Sequence, residues 1–188
     1  MKRNLIIIFS TDVKIECINT LTNVLKKYEI DSKIKIANNQ FDFYSFVNGN
    51  PEIEFDYITF CAHGDKEKGI GDELIDMATF NWSMFTSEIN SLNLNKDATL
   101  LLYCCQGGIE KNIETIFKYG PENLEVIFAT KEDKTNEQIS LAIIDFIHKK
   151  EELKLTLDKE NLKLHEDFFC FQKKDFNTEI TEDEIIKF

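Results

Sequence analysis

Residues 99–108 of the chain read TLLLYCCQGG, a short apolar run that ends in two cysteines and two glycines. A second stretch, residues 57–65, reads YITFCAHGD and ends in a histidine and a glycine. Continuous apolar runs of this length, bounded by turn residues, are typical of strands that are buried on both faces of a sheet. The two stretches therefore predict two buried strands, each followed by a loop that carries reactive side chains.

Before and after these two stretches, short apolar runs alternate with longer amphipathic segments along the chain. Further strands are predicted at residues 4–10, 32–37 and 126–130. Helices are predicted at residues 12–29, 82–92, 109–119 and 136–149, with a short helix or turn at residues 41–47. Asp12 is expected to cap the first helix. The alternation predicts an α/β fold, with a mostly parallel central sheet and helices on both of its faces.

The chain of 188 residues is long enough for one domain with a sizeable core. We find no internal repeat or linker, so we expect a single domain over residues 1–188 with its core at about residues 4–148. The pattern weakens after residue 150. Residues 151–188 are expected to form a C-terminal appendage, with edge strands or packing segments at residues 153–157 and 168–171.

The charge, the apolar runs and the number of cysteines exclude several classes of function. The chain has 34 acidic and 22 basic residues, a formal net charge of −12, which argues against binding to nucleic acid. No apolar run approaches the roughly 20 residues needed to span a bilayer, and no signal peptide is recognisable. The five cysteines are an odd number without the density of a disulfide scaffold. We therefore expect reduced thiols and a cytoplasmic protein that binds neither nucleic acid nor membrane.

A histidine and a cysteine end the two strands quoted above. In open parallel sheets, sites form at the carboxyl ends of the strands. If these strands are neighbours, His63 and Cys105 lie at one edge, where an imidazole favours the thiolate that attacks a carbonyl carbon. The glycines beside them leave backbone N–H groups open to a developing oxyanion. The pattern indicates nucleophilic catalysis by a cysteine–histidine pair.

Two adjacent thiols compete for the role of nucleophile. Side chains alternate along a strand, so Cys104 should continue the core-facing row of Leu100 and Leu102, with its pKa raised by burial. Cys105 precedes a loop and a helix whose N-terminal N–H groups and dipole are expected to favour a thiolate. The sequence therefore selects Cys105.

The two stretches resemble the caspase-like (clan CD) cysteine peptidases, which include caspases, metacaspases and bacterial CHAT-type domains. The caspase signature Q-A-C-[RQG]-G, with a histidine about 50 residues upstream, lies over residues 103–107. Cys105, Gln106 and Gly107 match it, whereas Tyr103 and Cys104 depart from it. His63 lies 42 positions before Cys105 and directly follows a hydrophobic strand, as in the family. The resemblance covers roughly residues 4–148.

The resemblance implies a caspase-like three-layer sandwich and a cysteine endopeptidase. Cys105 would be the nucleophile and His63 the general base or acid, with the backbone N–H groups of Gly64 and Cys105 binding the oxyanion. It implies no cofactor and no metal, a protein or peptide substrate, and a regulatory protein partner in a signalling or defence system. Asp12, Tyr103, Asp65 and Asp133 would line the substrate pocket. Because Arg3 is the sole arginine, a basic residue before the scissile bond is expected rather than aspartate.

Three alternatives remain open from the sequence. A caspase-like fold could serve as a catalytically silent protein-interaction module. A flavodoxin-like nucleotide or phosphate binder could use Gly107 and Gly108 at a helix N-terminus, although the acidic charge counts against it. A zinc site could gather Cys61, His63, Cys104 and Cys105, although their spacing is unlike that of structural zinc motifs.

Overall fold

The computed structural model describes residues 1–49, 52–65, 69–71, 80–154 and 167–176. The eight strands of this part are β1 (Lys2–Ile8), β2 (Ile30–Ile36), β3 (Phe55–Cys61), β4 (His63–Asp65), β5 (Gly69–Gly71), β6 (Leu94–Tyr103), β7 (Leu124–Thr130) and β8 (Phe168–Gln172). Its five α-helices are α1 (Ile15–Lys27), α2 (Gln40–Asn48), α3 (Trp82–Ile89), α4 (Glu110–Tyr119) and α5 (Asn136–Ile147). Residues 148–152 extend α5 by a π-helical turn.

Six strands form one central sheet in the order β2-β1-β3-β6-β7-β8. The first five strands of this order run parallel, and β8 pairs antiparallel with β7 at the edge. The strands β4 and β5 form a separate two-stranded hairpin after β3. The predicted edge segment at residues 168–171 is therefore the sixth strand of the main sheet. Of the segment predicted at residues 153–157, residues 153 and 154 are not part of a strand, and the remaining three lie outside the described residues.

Two apolar clusters cover the two faces of the sheet. Buried side chains of α2, α3 and α4 pack on one face, and those of α1 and α5 pack on the other. Along each central strand the side chains alternate between the clusters, as the two-residue period of a strand requires. Helices on both faces of a mostly parallel sheet confirm the predicted α/β class.

The start of α1 differs from the sequence prediction. The helix begins at Ile15, with Lys14 at the N-cap position and no capping side chain. The carboxylate of Asp12, expected to cap this helix, contacts His63 instead. A local capping contact is thus replaced by a contact between two loops at the same edge of the sheet.

The strands β3 and β6 are neighbours, which confirms the condition on which the predicted site depends. Cys61 pairs with Tyr103 in the parallel register, so the chain leaves both strands at the same level. The loops that begin at Ala62 and Cys104 therefore start side by side. Among the described helices, none is both long enough and apolar enough to cross a membrane.

Candidate active site at the carboxyl edge of the sheet

His63 lies at the carboxyl edge and is paired with a carboxylate. Its Nε2 atom lies 2.6 Å from Oδ2 of Asp12, in the loop after β1, and the two side chains are 43% and 54% exposed. A carboxylate accepts hydrogen bonds, so Nε2 carries the proton in this pair. In the neutral ring the lone pair then lies on Nδ1, which can act as a base. Asp12, expected in a substrate pocket, is placed to orient this histidine.

Cys105 lies in the turn after β6 and contacts the loop after β7. Its Sγ atom accepts a hydrogen bond from the backbone N–H of Lys134 at 3.3 Å and donates to the carbonyl oxygen of the same residue at 3.5 Å. Among the described residues, no hydrogen bond joins His63 to Cys105. The imidazole and the thiol are thus at the same edge, each with another partner.

The pKa of the Cys105 thiol shifts in the direction opposite to the sequence prediction. Burial raises the pKa of its thiol, the backbone N–H of Lys134 lowers it, and the charge of Asp133 raises it again; the net shift is upward. The helix α4 begins only at Glu110, and the effect of a helix terminus fades within about one turn. The expected stabilisation of the thiolate by this helix is therefore wrong for the present arrangement.

The adjacent thiol has the predicted structural role. Cys104 packs in the same apolar cluster as Leu100 and Leu102, whereas Tyr103 belongs to the cluster on the other face. Burial raises the pKa of the Cys104 thiol strongly, and the charge of Cys105 raises it further. Cys105 itself is half-buried. The alternation therefore confirms that Cys104 is the core-facing thiol.

Gly64 brings the histidine-bearing loop against Cys105. A Cβ atom placed on Gly64 would lie 1.9 Å from the carbonyl oxygen of Cys105 and 3.2 Å from Sγ of Cys104. Such approaches exclude any side chain unless the backbone shifts. Glycine is required here because two loop backbones touch, and this contact sets the position of His63 relative to Cys105.

Two backbone N–H groups are candidates for stabilising an oxyanion. Ile70 exchanges both of its backbone hydrogen bonds with Phe80, so the bonds between β4 and β5 fall on the residues flanking Ile70. The N–H of Gly64, which lies opposite Ile70, consequently points away from β5. The N–H of Cys105 has no hydrogen-bond partner within the described part of the chain. The role of these two N–H groups towards an oxyanion stays a prediction.

Tyr103 does not reach the site. The residue is buried beneath α5, where its hydroxyl donates to the carbonyl oxygen of Asn136 at 2.6 Å and lies 2.9 Å from Oγ of Ser140. Burial strongly raises the pKa of its hydroxyl. The expectation that Tyr103 lines a substrate pocket does not fit this position, because its side chain ties β6 to α5 within the core.

The other expected pocket residues lie near the edge but have partners. Asp133 accepts a hydrogen bond from Nε2 of Gln106 at 2.8 Å. The carbonyl oxygen of Asp65 accepts one from the indole N–H of Trp82 at 3.1 Å. Gln106 also has a positive φ of 52°, an uncommon backbone conformation that occurs at functional turns. These contacts link the loops around Cys105 to one another.

Within the polar segment after β7, the sequence indicated Asp133 as a site residue but gave no role to Lys134 or Asn136. Lys134 brackets Cys105 with its backbone, and Asn136 bonds to the loop after β1 through both of its side-chain polar atoms. The available signal was the polar run KEDKTN at residues 131–136. It directly follows the strand next to β6 and so had to lie at the same edge.

The backbone N–H groups of the two glycines after Cys105 form hydrogen bonds within the protein. The N–H of Gly108 donates to the carbonyl oxygen of Thr130 at 2.8 Å. The N–H of Gly107 bonds to the thiol of Cys104 and lowers its pKa slightly against the effect of burial. These N–H groups therefore have internal partners rather than facing a phosphate site.

The zinc alternative does not fit the positions of the cysteines. Cys61 and Cys104 belong to clusters on opposite faces of the sheet, and no metal-binding group of three side chains occurs among the described residues.

Comparison of the chain with protein-family models finds no match. Comparison with curated proteins likewise finds none. Only the geometry of the carboxyl edge therefore indicates a function.

Proposed function

We propose that the chain is a cysteine endopeptidase of the caspase-like type, with Cys105 as nucleophile and His63 as general base and acid. One observation carries the proposal. His63 and Cys105 leave neighbouring parallel strands at the same level, and the glycine beside the histidine packs directly on the backbone of Cys105. The imidazole with its bound carboxylate and the half-buried thiol therefore lie at the same edge of the sheet. This arrangement suits acyl transfer to sulfur.

The reaction begins with transfer of the thiol proton from Cys105 to Nδ1 of His63. The thiolate attacks the scissile carbonyl carbon, and the resulting oxyanion accepts hydrogen bonds from the N–H groups of Gly64 and Cys105. The C–N bond breaks as the imidazolium protonates the leaving amine, which forms a thioester. His63 then activates a water molecule that hydrolyses the thioester and restores the thiol. The carboxylate of Asp12 holds the ring and stabilises its charged form.

The proposed substrate is a protein or peptide with a basic residue before the scissile bond. The net charge of −12 favours such a substrate over an acidic one. Asp12 and Asp133 lie near the site, although each already has a polar partner. A regulatory protein partner in a signalling or defence system belongs to the same proposal.

Fluorogenic peptides test the proposal. We expect faster turnover of arginyl or lysyl than aspartyl substrates, abolished by Cys105→Ala. The matched control is Cys104→Ala, which should cost mainly stability because that thiol is in the core. Iodoacetamide at neutral pH should label Cys105 before Cys104. Activity that survives Cys105→Ala, with Cys104 labelled first, would contradict the assignment of the nucleophile.

A catalytically silent interaction module is a second candidate, favoured by one observation. The thiol is hydrogen-bonded to Lys134 rather than to His63, and its pKa is raised. If the fold serves binding alone, no peptide of the panel is cleaved, and Cys105→Ala leaves partner binding unchanged. Cleavage that depends on Cys105 would contradict this candidate.

A further inference from the structure

The loop after β7, residues 131–135, encloses the thiol of Cys105. Its residue Lys134 donates to the sulfur through the backbone N–H and accepts from it through the carbonyl oxygen. One residue thus occupies the donor and the acceptor capacity of the thiol. A second contact also joins this loop to the turn that carries Cys105: the N–H of Gln106 donates to the carbonyl oxygen of Glu132 at 3.4 Å.

Two ion pairs between described residues hold this loop, and they differ in burial. The ammonium group of Lys134 contacts the carboxylate of Asp167, with side-chain exposures of 15% and 47%. Lys131 pairs with Glu110 on α4 at 3.1 Å, with exposures of 30% and 74%. Burial of the first pair reduces its screening by solvent. The residue that brackets the thiol is therefore the one with the more buried ion pair.

Asp167 connects the loop to the edge of the sheet. It immediately precedes β8, whose first residue, Phe168, pairs with Thr130 at the end of β7. The loop begins at the next residue after Thr130. A displacement of the start of β8 would therefore act directly on the carboxylate that holds Lys134.

We propose that this arrangement is a resting state in which the Lys134–Asp167 ion pair keeps the 131–135 loop on the Cys105 thiol, and that opening of the pair releases the thiol. The inference rests on the proposed function, since it concerns regulation of the same nucleophile. Attack on a carbonyl carbon requires the sulfur to leave both backbone groups of Lys134. A substrate or partner that displaces Asp167 would lower the cost of that movement.

The rate of alkylation of Cys105 by iodoacetamide tests the proposal without any peptidase assay. Site-resolved mass spectrometry separates Cys105 from the other thiols. Rates are measured between about pH 7 and 9, where lysine side chains are ordinarily charged, and the thiolate absorbance that is lost in Cys105→Ala gives the ionised fraction of Cys105. The measured rate divided by this fraction is the plateau rate of the fully ionised thiol. We expect Asp167→Asn to raise that plateau about 3- to 5-fold, the range expected for loss of a partly buried pair. Asp167→Lys, which repels Lys134, should raise it further.

Two control variants change the other ion pair of the same loop. Glu110→Gln and Glu110→Lys remove or reverse the charge opposite Lys131, and we expect plateau rates within about twofold of the parent, since this more exposed pair contributes little. The plateau matters because Asp167→Asn removes a negative charge near the thiol. That change alone would shift the pH at which labelling rises and leave the plateau unmoved.

The outcomes separate the two proposals. An unchanged plateau in both Asp167 variants, or an equal increase in the Glu110 variants, would overturn the regulatory inference even if the protein cleaves peptides. A raised plateau confined to the Asp167 variants supports it, and absence of cleavage by those variants would then count against the peptidase proposal alone. Circular dichroism spectra equal to those of the parent show that each variant is folded.

Discussion

Two histidines of the described chain each contact a carboxylate, and they lie at opposite edges of the sheet. At the carboxyl edge, Nε2 of His63 lies 2.6 Å from Asp12, with exposures of 43% and 54%. At the amino edge, Nδ1 of His148 lies 2.9 Å from Glu152, with exposures of 39% and 58%. The two pairs have the same chemistry and nearly the same exposure, so neither property distinguishes a catalytic histidine from a structural one.

The neighbours of the two pairs differ. Beside His63 lie the close contact of Gly64 with Cys105 and the backbone N–H group of Cys105, which has no hydrogen-bond partner within the described residues. Beside His148 lies the hydroxyl of Tyr28, 3.0 Å from the same ring nitrogen. The comparison teaches that the fold, by bringing a cysteine thiol to the edge that carries one of the two histidines, makes that edge the candidate site.

Large pKa shifts also occur where no reaction is proposed. Near the amino edge, Glu151 contacts Lys2 and the hydroxyl of Tyr57, and Lys150 contacts Thr99. Burial lowers the pKa of Lys150 to about 8, although the charge of Glu151 raises it. Burial and the bond to Glu151 strongly raise the pKa of Tyr57. A perturbed pKa therefore indicates burial here, and only geometry indicates function.

The strongest test of this comparison replaces each histidine in turn. His63→Ala should lower kcat by about 10²–10⁴-fold, the usual contribution of a general base. Its stability should change little because the side chain is half exposed. The matched variant His148→Ala should keep full activity. Peptide hydrolysis and thermal melting measure both effects, and equal activity of the two variants would show that His63 is structural.

The second test concerns the charged cluster at the amino edge. Glu151→Gln removes the carboxylate that Lys2 and Tyr57 contact, and we expect a loss of about 3 kcal/mol in the free energy of unfolding. Activity per folded molecule should not change. Denaturant unfolding measures the loss. The control Glu137→Gln breaks an exposed ion pair with Lys14 and should have no measurable effect on the free energy of unfolding. Losses of equal size in the two variants would show that the partly buried pair is no more stabilising than the exposed one.

The third test distinguishes two roles for Asp12. If its carboxylate orients His63, Asp12→Asn should lower kcat by about 10- to 100-fold with KM unchanged, since a charge-assisted hydrogen bond is lost. If it lines a pocket for a basic residue, KM for arginyl peptides should rise instead. Glu152→Gln, the matched change at the other histidine, should leave both constants unchanged.

The smallest effect is expected from the pH dependence of stability. The pKa of Lys150 is about 8 in the folded chain and 10.5 ordinarily, so the unfolded state binds more protons between these values. The contribution of this residue to stability therefore rises with pH in that window. Between pH 7.5 and 9 the parent should gain about 1 kcal/mol relative to Lys150→Met. Parallel unfolding curves for the two proteins would show that Lys150 has an ordinary pKa.

Much of the fold was predictable because strands and helices have different periods. The apolar run at residues 57–62 predicted β3 with errors of one or two residues at its ends, whereas the run at residues 99–104 predicted only the second half of β6, which begins at Leu94. The strict alternation of side chains in a strand also separated Cys104, which is in the core, from Cys105. These predictions succeeded because they depend on neighbours in the sequence.

The sequence by itself determined the α/β class, the positions of His63 and Cys105 at strand ends, and the identity of the buried thiol. Only the tertiary structure decided the partners of these side chains. His63 bonds to a carboxylate 51 positions away, and Cys105 bonds to a backbone 29 positions away. Composition and periodicity are local quantities and contain no information on such contacts. Which loops meet at the edge of a sheet depends on strand order and register, and these arise only when the whole core packs.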